Sequence, residues 1–487
     1  MTFVETLEPQ ALWSHFDRIL TIPRGSGNEA GLREHIIGIA ETNGLEYQVD
    51  GMGNLVVRKP GSAGYESAPT VVLQNHMDMV NEKNSDVEHD FDKDPIKPER
   101  NGDYLTAQGT TLGSDNGIGV AAALAVLEAK DLVHGPIEAL FTVDEETGLT
   151  GAAGLDASMI SGRTLLNLDS EEEGILYVGC AGGGDSAITV NLRKTGTPPE
   201  SAALEVKLRG LKGGHSGCDI HLQRGNAIKL LVRAIHTCVQ NGMRINLASL
   251  HGGSAHNAIP REAFATVVVA AADLDSFKAE CEKVVGVIHD EFRPAEPDMN
   301  AETQVVDAAT EMWDDGTTAT VLGLITALPH GTMAMSYDIP DLVETSTNLA
   351  TVSAKDGALD ILLSSRSSVE SALAALRLRI RATAELVGAK VVEGDSYPGW
   401  KPNLESPLLK IVQAIHKKEL GSDPEIKAIH AGLECGIIGE KLDGMDMISM
   451  GPQIEFPHSP DERVKIDTVS SFYQLLSAVL EDLAKGA

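Results

Sequence analysis

The sequence predicts an α/β protein whose main domain is a mixed sheet with helices on both faces. Short apolar segments of strand character alternate with helical segments over the first 185 residues. This alternation is typical of a sheet that is covered on both sides. A differently patterned region follows, and the C-terminal part then returns to the first pattern. Because 487 residues exceed what one core usually supports, we predict two domains, one inserted into the other.

The elements of the first part are predicted from apolar periodicity. Helical patterns cover residues 9–20 and 28–42, and a buried helix of small residues covers 117–129. The strand patterns are "NLVVRK", "TVVLQN", "IEALFTV" and "TLLNLD". Sheets of this class place their functional sites beyond the carboxyl ends of the strands.

The stretch "GCAGGGDS" at 179–186 predicts a flexible hinge, because its glycines lack the spacing of a dinucleotide-binding loop. Beyond it, the alternating strand patterns "ALEVKLRGL", "FATVVVAA" and "GALDILLSSRSS" are accompanied by helical segments. These elements form two rough halves, at 203–292 and 318–395, which we interpret as a diverged duplication.

A second turn-rich stretch, "GDSYPGWKPN", marks the return to the first pattern. We therefore predict a discontinuous catalytic domain formed by residues 1–186 and 396–487. Residues 187–395 are predicted to form an inserted α+β lid and dimerisation domain. Such an insertion gives two compact cores that one chain connects twice.

The composition excludes several classes of partner. A net charge of −32 argues against nucleic acid and against an anionic membrane surface. No apolar run approaches the roughly 20 residues that span a bilayer, and the N-terminal residues do not resemble a secretory signal. Five scattered cysteines without a C-x-x-C pair indicate reduced thiols. We therefore expect a cytoplasmic protein.

Polar residues with metal-binding chemistry follow several of the predicted strands. His76 and Asp78 end "TVVLQNHMD", two positions apart and therefore on one side of the extended chain. The further candidates, in chain order, are Asp115, Glu145, Glu146, Asp169 and His458.

Each candidate also has an ordinary explanation. An H-x-D pair is common at a strand end, an acidic pair is common at a helix start, and Asp before Asn-Gly is a usual turn former. Taken together, however, two imidazoles and several carboxylates suit zinc. More ligand candidates are present than one zinc needs, which indicates two metals that share a bridging carboxylate.

The order H-x-D, then D in a Gly-bounded turn, then E-E, then D, then a late His resembles the co-catalytic zinc exopeptidase and deacylase superfamily. Within it, the chain most resembles the aminoacyl-histidine dipeptidase group. The motifs that carry this resemblance extend over nearly the whole chain: "IPRGSGNE", "NHMDMV", "GSDNGIG", "DEETGLTGA", "KGGHSGCDIH", "HNAIPREA", "SSRSS", "HAGLECG" and "GPQIEFPHSPDE". The chain departs from the pattern at Ser114, where alanine is usual.

The resemblance implies two Zn²⁺ per subunit, with Co²⁺ or Mn²⁺ as substitutes. It implies that Asp115 bridges both metals. His76 and Asp169 would complete one site. Glu146 and His458 would complete the other.

The resemblance also implies roles next to the metals. Asp78 would orient His76 and raise its basicity. Glu145 would be the general base that takes a proton from a metal-bridging water, whose hydroxide attacks the peptide carbonyl. The Asp115–Asn116 peptide bond would be cis.

Four further residues are expected to contact the substrate. His215 would polarise the scissile carbonyl from the lid of a partner subunit in a homodimer, and Arg366 would hold the C-terminal carboxylate through a bidentate pair. Asn257 and Glu434 are further candidates for substrate contacts. On sequence alone, His215 also fits an ordinary loop position and Arg366 an exposed strand position.

The expected activity is hydrolysis of unblocked dipeptides, including Xaa-His dipeptides. Two alternatives stay open. One is a deacylase or tripeptidase of the same superfamily, acting on N-acyl amino acids or short peptides. The other is a metal-free binding or structural homologue, against which the complete set of ligand candidates argues.

Overall fold

The computed structural model describes residues 3–307 and 310–486, so the predicted domain limits at residues 1 and 487 lie outside the described residues. The described chain divides into two compact units. Unit 1 contains the residues up to Cys180, residues 400–428, and the residues from Leu433 onward. Unit 2 contains residues 181–399 and 429–432. The role of unit 2 as a lid and dimerisation domain stays a prediction.

Up to Cys180 the helices are α1 (Gln10–Ile19), α2 (Ala30–Thr42), α3 (Ser114–Glu128) and α4 (Thr150–Gly154). The strands of the same part are β1 (Glu46–Val49), β2 (Leu55–Lys59), β3 (Val71–His76), β4 (Pro98–Asn101), β5 (Tyr104–Ala107), β6 (Ile137–Thr142), β7 (Thr164–Asn167) and β8 (Ile175–Cys180).

The middle of the chain forms strands β9 (Gly182–Asn191), β10 (Lys194–Gly196), β11 (Ser201–Arg209), β12 (Asn246–Gly252), β13 (Ala263–Ala270), β14 (Asn300–Val306), β15 (Glu311–Trp313), β16 (Gly331–Met335), β17 (Val343–Lys355), β18 (Ala358–Ser367) and β19 (Lys390–Tyr397). Its helices are α5 (Ala227–Gln240), α6 (Leu274–Phe292), α7 (Asp315–Ala327) and α8 (Glu370–Glu385).

The last part of the chain forms strands β20 (Glu425–Ile429), β21 (Asp446–Ser449), β22 (Ile454–Glu455) and β23 (Arg463–Lys465). Its helices are α9 (Pro407–Leu420), α10 (Glu434–Lys441) and α11 (Ile466–Lys485). Short 3-10 helices occur at Phe3–Thr6, Ala157–Met159, Ile220–Leu222 and Ala271–Asp273.

Unit 1 is built on a mixed sheet in the order β1-β2-β6-β3-β7-β21-β8-β20. Strand β3 pairs in parallel with β6 on one side and with β7 on the other, and β7 pairs in parallel with β21. Every residue of β3 and β6 is buried. The carboxyl ends of β3, β6 and β7 therefore meet at one edge of the sheet, which is where such sheets carry their sites.

Helix α3 packs against this sheet and is buried almost all round, as its small and apolar residues predict. Gly119 shows why small residues are needed there. An ideal Cβ at Gly119 would lie 2.5 Å from the carbonyl oxygen of Leu168, just after β7. A larger side chain would push the helix away from the strand end. Glycine at this position therefore allows the first turns of α3 to pack closely against the end of β7.

Unit 2 contains the same β-α-β-β-α-β arrangement twice. The first copy is β11-α5-β12-β13-α6-β14, with strand order β14-β11-β13-β12. The second is β9-α7-β17-β18-α8-β19, with the equivalent order β19-β9-β18-β17. The copies join where β12 pairs antiparallel with β17. This repeated order supports a duplication, although the first strand of the second copy, β9, precedes the first copy in the chain.

The predicted hinge at 179–186 is wrong in part. The two units divide at Cys180–Ala181, inside that stretch, but the residues from Gly182 onward form the start of β9. The glycines serve close packing: an ideal Cβ at Gly183 would lie 2.6 Å from the hydroxyl of Tyr397, and one at Gly182 would lie 2.4 Å from the amide nitrogen of Gly399. The glycine-rich run therefore forms the start of a strand, and its neighbours leave no room for side chains there.

Candidate active site

Three predicted metal ligands and the predicted general base lie at or just beyond the ends of three neighbouring strands. His76 is the last residue of β3. Glu145 and Glu146 follow β6, and Asp169 follows β7. Because these strands are adjacent and parallel, the structure gathers the four side chains at one edge of unit 1.

Asp115 lies between two histidines. It sits at the start of α3 with non-helical backbone angles, and its peptide bond to Asn116 is cis, as the resemblance implies. Its Oδ1 atom is 3.0 Å from Nε2 of His76, and its Oδ2 atom is 3.1 Å from Nε2 of His458. One carboxylate therefore connects the imidazole at the end of β3 with the imidazole of a loop far along the chain.

The remaining carboxylates complete two groups of three. Asp169 Oδ1 lies 3.3 Å from His76 Nε2, and Glu146 Oε2 lies 3.1 Å from His458 Nε2. In each group, one that contains His76 and one that contains His458, the candidate ligand atoms lie within 4.8 Å of one another. The groups share Asp115 and have the same members as the two predicted ligand sets. That these residues bind metal stays a prediction.

The charge and bonding of the two groups fit divalent cations. Within the described chain, no lysine or arginine forms an ion pair with Asp115, Glu146 or Asp169. Glu146 Oε1 and Asp169 Oδ1 are buried and have no hydrogen-bond partner among the described residues. A buried carboxylate oxygen is costly unless a donor or a cation compensates it. Imidazole nitrogen and carboxylate oxygen are the donor atoms that zinc accepts.

Asp78 is fully buried and fixes both glutamates by their backbone. Its Oδ1 accepts the amide of Glu145, and its Oδ2 accepts the amide of Glu146, each at 3.1 Å. Its Oδ2 also accepts the hydroxyl of Ser26 at 2.8 Å, and its Oδ1 lies 3.3 Å from Nδ1 of His76. Burial opposes its ionisation, but His76 and these donors outweigh burial and lower the pKa of Asp78 to about 2. The predicted partner of His76 therefore also positions the acidic pair.

Glu145 differs from its neighbour in environment. Its carboxylate lies within 4.8 Å of candidate ligand atoms of His76 and Glu146. Burial raises the pKa of Glu145 well above its usual range, and the nearby carboxylates act in the same direction. Glu146 instead faces His458. Two adjacent glutamates thus occupy separate positions.

In unit 2, the loop before α5 holds His215 in one tautomer. Its Nδ1 accepts the backbone amides of Gly217 and Cys218 at 3.2 and 3.0 Å. The neutral ring must then carry its proton on Nε2. Burial and the nearby charge of Arg366 lower the pKa of His215, which favours that neutral form. His215 is therefore arranged as a neutral hydrogen-bond donor.

Arg366 belongs to the same cluster. It is buried near the end of β18, its Nη1 donates to the hydroxyl of Tyr397 at 3.0 Å, and its Nε has no hydrogen-bond partner among the described residues. An ideal Cβ at Gly217 would lie 3.1 Å from Arg366 Cδ, so the His215 loop lies on the stem of this arginine. A buried guanidinium with a free donor is suited to bind an anion. The exposed strand position that sequence also allowed is excluded.

Asn257 is exposed, and its backbone carbonyl accepts the amide of Ser216 beside His215. The sequence reading missed two members of this cluster, Tyr397 and His430. His430 Nε2 pairs with the hydroxyl of Ser346 at 2.7 Å, and burial lowers its pKa to about 3. Tyr397 lies in the turn-rich stretch "GDSYPGWKPN", which offers no functional signal, whereas His430 opens the motif "HAGLECG", which could have singled it out.

Glu434 begins α10 in unit 1 and is fully buried. Its Oε2 accepts Nε2 of Gln74 at 2.5 Å and the hydroxyl of Thr142 at 2.6 Å. Its Oε1 has no hydrogen-bond partner among the described residues. Burial raises the pKa of Glu434 to about 8. This residue thus resembles a binding group that keeps one oxygen available.

Two more buried charged residues contact the ligand-bearing segments and were given no role from the sequence: Arg24 and Glu462. Both lie inside motifs that carried the resemblance, "IPRGSGNE" and "GPQIEFPHSPDE". Their burial depends on tertiary contacts that periodicity does not reveal. None of the described helices is both long enough and apolar enough to cross a membrane.

Comparison with known proteins gives several matches. Residues 72–482 match the family model described as "Peptidase family M20/M25/M40". The chain is 40% identical over 483 residues to the Cytosol non-specific dipeptidase of Escherichia coli, covering 99% of both chains. It is 42% identical to the crystal structure of an aminoacylhistidine dipeptidase from Vibrio alginolyticus, with a TM-score of 0.91 over 99% of this chain and 98% of that one.

A tripeptidase structure from Staphylococcus aureus shares the fold at 18% identity, with a TM-score of 0.56 over 98% of this chain and 99% of that one. These matches confirm the resemblance inferred from the motifs and the predicted class, an α/β fold with a large mixed sheet. The alternative of a metal-free binding or structural homologue loses its support. The chain belongs to peptidase family M20/M25/M40 and is a peptide-bond hydrolase.

Proposed function

We propose that the chain is a metallo-dipeptidase that hydrolyses unblocked dipeptides, including Xaa-His dipeptides. The observation that carries this proposal is the pair of three-residue groups that share Asp115 at the strand ends of unit 1. The names of the relatives in Escherichia coli and Vibrio alginolyticus, a non-specific dipeptidase and an aminoacylhistidine dipeptidase, support the substrate class. The name of the former and the five free cysteines support a cytoplasmic location.

Two zinc ions are proposed as cofactors, with Co²⁺ or Mn²⁺ as substitutes. Asp115 would contribute to both. His76 and Asp169 would complete one site, and Glu146 and His458 would complete the other. When bound, the ions supply Lewis acidity, which activates water near neutral pH and polarises the carbonyl.

Glu145 is proposed as the general base. Its carboxylate would accept a proton from the attacking water and then donate it to the leaving nitrogen. Glu146 cannot share this task if its carboxylate is committed to a cation beside His458. Asp78 holds Glu145 and Glu146 in their separate positions by accepting hydrogen bonds from their backbone amides.

The ends of a dipeptide carry opposite charges, and the proposed binding residues match them. Arg366, with its unpaired Nε, would hold the C-terminal carboxylate. His215 would donate from Nε2 to the scissile carbonyl oxygen as charge develops there. Glu434 would accept the N-terminal ammonium through Oε1, and Asn257 is proposed as a further contact. A group for the free amine would favour dipeptides over N-acyl amino acids.

A substrate panel tests this function directly. We expect turnover of free dipeptides, Xaa-His included, and kcat/KM at least about 100-fold lower for the matching N-acetyl amino acids, because an unpaired buried carboxylate rejects a ligand without the ammonium. Amine release by the zinc-loaded full chain would be measured. Faster turnover of N-acetyl amino acids or of tripeptides would instead support the alternative, a deacylase or tripeptidase.

The acidic pair should separate into a base and a ligand. Glu145→Gln should retain both metals and lower kcat roughly 10²–10⁴-fold, the usual range for a positioned general base. Glu146→Gln should lose metal at low free zinc. Metal analysis after dialysis, alongside kcat, distinguishes the two variants; the reverse pattern would exchange the two roles.

Arg366→Ala should raise KM for free dipeptides far more than for their C-terminal amides. An amide offers no carboxylate to the guanidinium, so loss of the pair should matter little for it. Steady-state kinetics on matched pairs of substrates measure this difference. Equal losses for both substrates would show that Arg366 only supports the fold of unit 2.

The subunit arrangement is a separate proposal: a homodimer in which His215 serves the active site of the partner. His215 and Arg366 lie in one cluster of one unit, so they should serve the same active site, whichever chain provides its metals.

Subunit exchange tests both statements. At free-dipeptide concentrations far below the KM of Arg366→Ala, mixtures of His215→Ala and Arg366→Ala should show no more activity than the separate variants, because no heterodimer can combine both residues in one site. Mixtures of His215→Ala and Glu145→Gln should regain up to roughly a quarter of wild-type activity if His215 acts in the partner of a two-fold dimer. Activity in the mixture of His215→Ala and Arg366→Ala would show that these two residues serve different active sites. No recovery in the second mixture, with exchange demonstrated, would assign His215 to its own chain.

A further inference from the structure

The carboxylate of Glu462 holds the loop that begins α3. Glu462 is buried, four residues after His458. Its Oε2 accepts the amides of Leu112 and Gly113 at 2.8 and 2.9 Å. Its Oε1 accepts the amide of Ser114 at 2.7 Å and its hydroxyl at 2.5 Å. The Asp115 amide lies 3.4 Å from the same oxygen. One carboxylate thus gathers the donors that lead into Asp115.

Arg24 holds the same loop from its acceptor side. Its guanidinium is buried, and Nη2 donates to the carbonyl of Gly113. Its Nη1 donates to the carbonyls of Met77 and Asp78 at 3.0 and 2.7 Å. Gly113 has a φ of +71°, and an ideal Cβ there would lie 2.5 Å from Arg24 Nη2. Glycine therefore lets the loop lie directly against the arginine.

Together these two side chains join the three segments that carry the histidines and the shared aspartate. Arg24 connects the segment after His76 to the loop before Asp115. Glu462 connects that loop to the segment of His458. Neither residue belongs to the two groups of candidate ligands. Both act on Asp115 through backbone groups, and the contacts span more than 340 residues of sequence for Glu462.

We propose that Arg24 and Glu462 are positioning residues that hold the Asp115 carboxylate between the two histidines and thereby set the affinity for the metal beside His458. This inference rests on the proposed metal site. Hydrogen bonds to a charged group are shorter and stronger than neutral ones. A carboxylate with four or five such donors fixes a loop more firmly than backbone contacts alone. Residues that orient ligands in this way typically change metal affinity 10–100-fold when they are replaced.

The test compares zinc binding by Glu462→Gln with that by a matched control. Glu138 is buried at the other end of β6 and accepts the amides of Ser161 and Gly162 and the Ser161 hydroxyl. Glu138→Gln therefore removes a similar buried charge away from the ligands. Zinc would be titrated into the metal-free full-length chains against a competing chelator, and thermal unfolding would be followed in parallel.

We expect Glu462→Gln to bind one zinc about 10–100-fold more weakly than wild type, while Glu138→Gln keeps wild-type affinity at both sites. Equal zinc affinities in the two variants, with similar losses of thermal stability, would overturn the proposal and leave Glu462 a structural residue. If wild type itself bound no zinc pair, the proposed function would fail instead.

Ser114→Ala is a second variant that tests the same proposal if Glu462→Gln does not fold. It removes the 2.5 Å hydroxyl contact and leaves the amide contacts. A smaller loss of affinity at the same site, in a chain with wild-type thermal stability, would support positioning by Glu462. Unchanged zinc affinity together with lowered thermal stability would contradict it.

Discussion

Three carboxylates in close proximity constrain the catalytic unit more than any other feature. Asp115, Glu146 and Asp169 approach two histidines at one edge of the sheet, and no described lysine or arginine pairs with them. Two unit charges 4 Å apart repel by about 4 kcal/mol at an effective dielectric constant of 20. The fold must therefore hold these groups together against their mutual repulsion.

The fold meets this requirement by placing the three carboxylates and His76 on separate elements. Parallel strands deliver His76, Glu146 and Asp169 to one edge, and a buried helix of small residues delivers Asp115. Backbone hydrogen bonds to buried charges then fix the connecting segments. Asp78 does this for the acidic pair, and Glu462 does it for the start of α3. Positioning through the backbone leaves the side chains of the predicted ligands free to bind a cation, as we propose.

Much of unit 1 was predictable because its signals are local. Apolar β-branched runs predicted β3 and β6, and a polar residue directly after a buried strand pointed to the sheet edge. The contact of Asp78 with the backbone of the acidic pair depends on where the chain turns after β6. The spacing of residues in the sequence does not indicate that turn. Similarly, the sequence predicts Glu434 as a substrate contact, which stays a prediction, but its burial against Gln74 and Thr142 follows from strand neighbours distant in sequence.

The inserted unit was harder to predict, since its order depends on long-range pairing. The glycines at the start of β9 predict a hinge, because glycine occurs in turns more often than in strands. In the structure they make room for Tyr397 and its neighbours. The short return of residues 429–432 to unit 2 had no compositional signal. The proximity of His215 and Arg366, which lie in different copies of the repeat, also had no compositional signal.

The proposed bridging of two metals by Asp115 can be tested by anomalous diffraction at the zinc absorption edge, from crystals of the wild-type chain grown with zinc. We expect two anomalous peaks roughly 3.5–4 Å apart, with one carboxylate oxygen of Asp115 beside each. A single peak, or two peaks that Asp115 does not connect, would contradict it.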